Sequence, residues 1–199
     1  PMPAPLQGHL RKVWFEQRGF PRAVAQLGAD LAHVPYWGPP LRSPVPLVCS
    51  VLDVIPLAVP EYGRGLLNRL YTGLVVAGAR GASRLLTLSQ AARADIAPRL
   101  GVPLDRIDVT HLAADSRFTP TLDPAHDAAV RARYGLDDVD AFVLYLGSYA
   151  VHKNVSLLLA AYTYVAQAQR EDVPLVLAGH RPEAWGPRFP DLPAYIDQL

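Results

Sequence analysis

The chain has 199 residues, half of them hydrophobic, which is enough to bury a sizeable core in one large domain or in parts of two. The charges of its 19 basic and 18 acidic side chains nearly cancel, so the chain lacks the net positive charge that is typical of nucleic-acid-binding proteins. The single cysteine, Cys49, excludes a disulfide within the chain, is expected to be buried, and fits a cytoplasmic location. No uninterrupted apolar run approaches the roughly 20 residues that span a bilayer.

In the first half of the chain, short β-type runs alternate with longer helical patterns. The helix predicted over residues 64–81 has leucines and valines at three- and four-residue spacing. Ser89 is a suitable cap for a second helix that runs to about Arg99 and is stopped by Gly101. The predicted strands are residues 30–34, 46–51, 84–88 and 107–112.

The second half repeats the alternation after an aperiodic segment over residues 113–124. The predicted elements are a helix over 128–134, a strand over 141–147, a helix over 154–169 and a strand over 173–178. Strand–helix–strand order on both sides of a break indicates an α/β protein with two parallel sheets. We expect one domain over residues 1–114, a linker over 115–127 and a second domain over 128–199.

The segment from Gly147 to Asn154 follows a predicted strand and opens a predicted helix. Ligands of parallel sheets bind beyond the carboxyl ends of the strands, where Gly147 lets a ligand approach the backbone. The helix start offers free N–H groups to a phosphate, and Lys153, one of two lysines in the chain, adds a full positive charge. From spacing alone, a solvated Lys153 and a capping Asn154 explain the segment equally well.

Two common phosphate-binding motifs do not fit the chain. The spacing from Gly147 to Lys153 matches a P-loop, but His152 replaces the second glycine and Asn154 replaces the hydroxyl residue that would bind magnesium. No predicted strand is followed by the Gly-x-Gly-x-x-Gly fingerprint, which disfavours a Rossmann-type dehydrogenase.

Six segments in chain order resemble motifs of the retaining glycosyltransferases of family 4. The clearest segment resembles the start of that family's donor domain. It consists of Gly147, the pair Lys153–Asn154 and the apolar helix that follows this pair. The other five are residues 30–36, 51–61, 86–96, 111–120 and 174–179. The resemblance spans nearly the whole chain and implies the GT-B fold, with two Rossmann-like parallel-sheet domains that are both incomplete here.

The resemblance implies transfer of a sugar from a nucleotide diphosphate sugar to an acceptor hydroxyl with retention of configuration. It implies a hexosyltransferase of polysaccharide, glycolipid or cell-envelope glycan synthesis that works without a metal or cofactor. The residues that match the donor-binding motifs are Gly147, Ser148, Lys153, Asn154 and Gly179.

On the acceptor side, the resemblance points to Asp53 and His33 as catalytic candidates and to Ser89 and Tyr36 as acceptor contacts. Each has an alternative interpretation. His33 also fits a hydrogen-bonded core histidine, Asp53 a turn carboxylate that binds backbone N–H groups, and Ser89 a helix cap. Tyr36 also fits an aromatic side chain that covers the edge of the core.

Two positions depart from the family pattern. Leu52 stands where the family usually has a histidine beside the aspartate, and His152 where an arginine usually accompanies the lysine. Family members are about twice as long, and the chain opens on Pro1, so we expect a central fragment of the enzyme. The alternative is a truncated or degenerate segment that binds nucleotide or serves an assembly interface without catalysis.

The resemblance also implies a glycan or lipid-linked acceptor, and relatives that use lipid-linked acceptors make peripheral membrane contact. No basic amphipathic stretch is evident from the sequence to support that contact here. The sugar, the acceptor and the oligomeric state are not predicted.

Overall fold

A computed structural model describes residues 4–119, 123–169 and 173–199 of the chain. It divides into two compact units, unit 1 (Pro1–Ala113) and unit 2 (Ala114–Leu199). Both units place helices around parallel strands, which confirms the predicted α/β class.

Unit 1 is built on a four-stranded parallel sheet with the strands in chain order. Its strands are β1 (Ala32–Val34), β2 (Leu47–Ser50), β3 (Arg84–Thr87) and β4 (Ile107–Val109), each inside a range predicted to be a strand. The pairing places Val34 opposite Cys49, Cys49 opposite Leu85 and Leu85 opposite Ile107. These four buried side chains form one row across the sheet and the centre of its core.

Five helices accompany this sheet: α1 (Ala4–Trp14), α2 (Phe20–Gln26), α3 (Ile55–Ala58), α4 (Leu66–Gly81) and α5 (Gln90–Leu100). A π-helical turn, Phe15–Gly19, joins α1 to α2. The sequence analysis predicts α4 and α5 but no element over α1 and α2. Helix α4 begins two residues later than predicted because Gly65, with φ of 91°, lies outside the helical region.

The predicted limits of α5 are confirmed in detail. The Ser89 hydroxyl accepts a hydrogen bond from the Ala92 N–H at 3.0 Å, which caps the first turn. Gly101 ends the helix in the left-handed conformation, with φ of 63°. Cys49 is fully buried, as expected.

Unit 2 has a two-stranded parallel sheet of β5 (Val143–Leu146) and β6 (Leu175–Ala178). Its helices are α6 (Pro124–Arg133), α7 (Val155–Gln169) and α8 (Leu192–Ile196). Helix α6 begins at Pro124 rather than at residue 128, because the Asp123 carboxylate caps it by accepting from the Ala125 N–H at 3.0 Å. The last residues of the predicted linker are therefore helical.

The core of unit 2 is small. Val155 and Leu159 of α7 and Leu192 of α8 are its buried members. Tyrosines 145 and 149 and leucines 175 and 177 pack against them. The outer side chains of β5 are open to solvent, with Leu146 exposed by 78%.

Candidate functional site

The carboxyl ends of β5 and β6 meet at two glycines. The Gly147 N–H donates to the Ala178 carbonyl at 2.9 Å, and a Cβ atom on Gly179 would overlap the Gly147 carbonyl oxygen. Only a residue without a side chain fits at Gly179. The structure therefore brings together two of the predicted donor-binding residues and leaves bare backbone at this edge of the sheet.

Two tyrosines fix the loop that follows Gly147. The Tyr145 hydroxyl donates to the Ser148 carbonyl at 2.6 Å, and the Tyr149 hydroxyl donates to the Leu177 carbonyl at 3.2 Å. The two rings stack with centroids 6.3 Å apart. Burial, and the neighbouring Tyr149, raise the pKa of Tyr145, which keeps its hydroxyl a donor. Side-chain hydrogen bonds thus attach the loop to both β5 and β6.

A single 3₁₀ turn, Val151–Lys153, leads from the loop into α7. Asn154 then takes the left-handed conformation, with φ of 51°, the one described residue other than glycine that does so. Asparagine tolerates that conformation better than most residues, so its presence here has a backbone reason. The helix consequently begins at Val155, and the Asn154 carbonyl accepts from the Leu157 N–H at 3.0 Å.

Lys153 projects from this turn as an exposed side chain, and in the part of unit 2 that the structure describes it has no ion-pair partner. His152 beside it is half-buried. The Val151 N–H donates to the Arg188 carbonyl at 2.8 Å, which attaches the segment before α8 to the same loop. An exposed, unpaired ammonium group next to a helix start is a favourable arrangement for an anionic ligand.

The predicted residues of unit 1 lie on or just after neighbouring parallel strands, and each has a hydrogen-bond partner within the unit. The Nε2 atom of His33 on β1 lies 3.0 Å from the Ser50 hydroxyl on β2. The Asp53 carboxylate accepts from the Ile55 N–H at 3.0 Å, and Ser89 caps α5. His33 is exposed rather than part of the core. Leu52, the departure from the family pattern beside Asp53, is also exposed.

Tyr36, the remaining predicted residue, belongs to a cluster that sequence reasoning missed. At its centre is Glu16 of the π-helical turn, which is only 2% exposed and lies beside Tyr71 of α4 and Lys12 of α1. Glu16 is the first acidic residue of the chain, and it lies four positions after Lys12. That i,i+4 pair was an available signal for the helix.

Two further kinds of feature are absent from the part of the chain that the structure describes. Among the described residues, no three His, Cys, Asp or Glu side chains lie close enough together to hold a metal ion. Within the same ranges, no helix has the length and apolar character needed to cross a bilayer.

Residues 1–118 match the family model described as Glycosyltransferase Family 4. The chain is 30% identical over 164 residues to the O-antigen chain mannosyltransferase B of Escherichia coli, a match over 81% of this chain and 42% of that protein. It is 32% identical over 117 residues to the alpha-D-kanosaminyltransferase of Streptomyces kanamyceticus, a match over 59% of this chain and 28% of that protein.

The chain therefore spans less than half of the length of either relative. The family match covers more than half of the chain, and it includes the whole sheet of unit 1 with the motifs that end its strands. The resemblance inferred from six short segments is thus confirmed, and this chain belongs to glycosyltransferase family 4.

Proposed function

We propose that the protein to which this chain belongs transfers a hexosyl group from a nucleotide diphosphate sugar to an acceptor hydroxyl, with retention of configuration. Membership in family 4 supports the reaction class, and both relatives are named as glycosyltransferases. The product is a polysaccharide, glycolipid or cell-envelope glycan, and the reaction takes place in the cytoplasm.

The donor diphosphate binds at the carboxyl ends of β5 and β6. The observation that carries this assignment is the paired glycine edge, Gly147 against Gly179, with an exposed Lys153 at the adjacent helix start. The Gly147–Ser148 backbone lets the diphosphate approach closely, and Asn154 holds the turn that presents Lys153.

The chemical task at this edge is to stabilise negative charge as the nucleoside diphosphate departs. Lys153 supplies a fixed positive charge, and the first turn of α7 adds its N–H groups and partial positive charge. In this assignment the charge is neutralised by the protein, so the reaction needs no metal ion. On the acceptor side, His33 and Asp53 remain the proposed catalytic residues and Ser89 and Tyr36 the proposed acceptor contacts.

Isothermal titration calorimetry with UDP and GDP tests the donor site. We expect saturable binding of one nucleotide to the chain and a loss of at least about tenfold in affinity in Lys153→Ala, because the variant removes the charge that faces the diphosphate. Arg133→Ala, which removes an exposed cation of α6 in the same unit, should bind as the parent does. Equal binding by the parent and Lys153→Ala would contradict the assignment.

The second candidate function is nucleotide binding without catalysis, favoured by Leu52 and His152 at positions where the family usually has a histidine and an arginine. Leu52→His and His152→Arg separate the two. Under the enzyme proposal the parent chain, supplied with the rest of the protein, transfers sugar. Under the alternative it binds nucleotide, and only the restored double variant transfers sugar.

We also propose peripheral contact with an anionic membrane through the end of α1 and the π-helical turn, a basic amphipathic segment that the sequence analysis did not find. Trp14 and Phe15 are more than half exposed, and Arg11 and Arg18 flank them. Aromatic side chains beside arginines fit the interface of an anionic bilayer. Trp14→Ser with Phe15→Ser should abolish sedimentation with phosphatidylglycerol vesicles, and equal sedimentation with phosphatidylcholine vesicles would count against the proposal.

A further inference from the structure

A cavity of about 390 Å³ lies between α1 and α4 in unit 1. Its lining includes His9, Lys12, Val13, Asn68 and Tyr71. Helix α4 precedes β3 and runs back along the parallel sheet, so its first turns lie toward the carboxyl ends of the strands. The cavity is therefore at the ligand-binding end of the sheet.

The buried carboxylate of Glu16 positions two polar side chains that line the cavity, Tyr71 and Lys12. The Tyr71 hydroxyl lies 3.1 Å from each carboxylate oxygen of Glu16, to which it donates, and the Lys12 ammonium lies 3.8 Å from Oε1. The same ammonium lies over the Tyr71 ring at 5.0 Å and the Tyr36 ring at 6.0 Å. Burial and then Glu16 raise the pKa of both tyrosines, so their hydroxyls stay protonated at neutral pH.

The π-helical turn aims Glu16 and its neighbour Gln17 at the loop that carries Tyr36. The Gln17 amide donates to the Pro39 carbonyl at 3.3 Å and accepts from the Leu41 N–H at 3.0 Å. A Cβ atom on Gly38 would lie only 2.6 Å from the Glu16 carboxylate, so the loop and the carboxylate fit together only with glycine there. The π-helical turn thus fixes the place of the Tyr36 ring, and π-helical turns are frequent at functional sites.

The chemistry of the wall selects a neutral, hydroxyl-rich ligand. Glu16 balances the charge of Lys12, so this pair presents no net charge to an anion. Asn68 and Tyr71 offer neutral hydrogen-bonding groups, and Val13 and Leu67 offer apolar contacts. Apolar and aromatic surface with a few polar groups suits a sugar ring, which has apolar C–H faces and hydroxyls at its edge.

We infer that this cavity binds a sugar ring of the acceptor glycan, with Lys12, Asn68 and Tyr71 as its contacts and Glu16 as a positioning residue. The inference rests on the proposed function, whose acceptor it describes. It adds a subsite whose lining does not include the predicted contact Ser89. The predicted contact Tyr36 lies beside the subsite, with its ring 6.0 Å from the Lys12 ammonium.

The test is an NMR titration of the ¹⁵N-labelled chain with methyl α-D-mannopyranoside and methyl α-D-glucopyranoside. We expect saturable shifts of the Asn68 side-chain amide and of neighbouring α1 and α4 signals with at least one glycoside. Asn68→Ala, at an exposed position, should weaken binding about tenfold by removing a hydrogen-bonding group. Arg69→Ala, the adjacent exposed residue outside the cavity lining, should bind as the parent does.

Glu16→Gln tests the positioning role because it keeps the size of the side chain and removes its charge. The variant should weaken glycoside binding and lower the pKa of Tyr71, which a spectroscopic titration of the tyrosines measures. A residue that only stabilised the fold would leave binding unchanged in the variant once it is folded.

Shifts produced by inorganic phosphate and not by the glycosides would overturn the inference in favour of an anion site. So would the absence of saturable shifts, or equal binding by the parent and Asn68→Ala. These outcomes are separate from the calorimetry with UDP and GDP. Nucleotide binding without glycoside binding removes the cavity inference alone, and glycoside binding without nucleotide binding removes the donor site alone.

Discussion

The two units both pack helices against a parallel sheet, but their hydrophobic cores differ greatly in size. Among the described residues, unit 1 buries fifteen hydrophobic side chains in one cluster around four strands, whereas unit 2 buries three around two strands. Leu85 at the centre of β3 is fully buried, but Leu144 in β5 is 55% exposed. A two-stranded sheet has little stability of its own. The hydrogen bonds of Tyr145 and Tyr149 therefore contribute more to the conformation of the loop in unit 2.

The geometry of the candidate donor edge is held mainly by specific polar contacts. In unit 1, packing across the sheet fixes the strand ends. In unit 2, the Tyr145 and Tyr149 hydroxyls bind the carbonyls of Ser148 and Leu177 directly. We therefore expect two unfolding transitions, with unit 2 melting first. Four experiments test this expectation.

The largest expected effect is the difference in thiol reactivity between the folded and the unfolded protein. Cys49 is the single thiol of the chain and reports on unit 1 alone. Burial raises the pKa of this thiol from 9.0 to about 12, so the reactive thiolate is about a thousandfold rarer at pH 8. We expect very slow reaction with Ellman's reagent in the native protein, faster reaction as the pH rises, and rapid reaction in guanidinium. Rapid labelling at temperatures where only unit 2 has melted would contradict independent units.

A pair of leucines measures the difference between the cores. Leu85→Ala should lower the free energy of unfolding of unit 1 by about 2–5 kcal/mol, because it leaves a cavity in the central row of the sheet. Leu144→Ala, at an exposed position in β5, should change the stability of unit 2 by no more than about 0.5 kcal/mol. Urea unfolding followed by circular dichroism measures both, and similar losses would show that β5 is buried in solution.

Gly179→Ala should destabilise unit 2 by about 1–3 kcal/mol, because the added methyl group meets the Gly147 carbonyl and forces the strands apart. Gly186→Ala is the control, since nothing lies within 4 Å of a Cβ atom at that position. Urea unfolding followed by the fluorescence of Trp185 resolves the two variants. A neutral Gly179→Ala would mean that the strand ends are looser than the structure has them.

The smallest effect is that of the helix caps, and one cap from each unit is compared. Ser89→Ala and Asp123→Ala should each cost about 1 kcal/mol by leaving an N–H group of the first turn without its acceptor. The loss should appear in the transition of unit 1 for Ser89 and of unit 2 for Asp123. Loss from a single shared transition in both variants would indicate that the units unfold together.

Much of the sheet was predictable because each strand is a short apolar run bounded by its own stop signals. The row from Val34 to Ile107 lies within four such runs. Helices α1 and α2 were not predicted, because Gly19 and Pro21 interrupt the helical pattern around the π-helical turn. The start of α6 was misplaced because Asp123 and Pro124 were interpreted as linker residues rather than as a cap and a first turn.

The candidate site divides in the same way. The geometry of the candidate donor edge was predictable from local rules, since Gly147 and Gly179 each end an apolar run and parallel strands bring such ends together. The Glu16 cluster was not, because Glu16 and Tyr71 are 55 positions apart and neither belongs to a recognised motif. Only the three-dimensional structure shows that the π-helical turn and α4 bring these two side chains into hydrogen-bonding contact.

The close approach of Gly147 and Gly179 limits which substitutions this edge of the sheet can accept. A side chain at Gly179 would meet the Gly147 carbonyl on the other strand, and one at Gly147 would crowd the Tyr145 hydroxyl that holds the loop. Neither position is therefore open to substitutions that change selectivity. Under the proposed function, any preference for one nucleotide or sugar is encoded in the flanking loops, where side chains can vary without disturbing the strands. Libraries built to alter donor choice should therefore keep both glycines and vary the loops beside them.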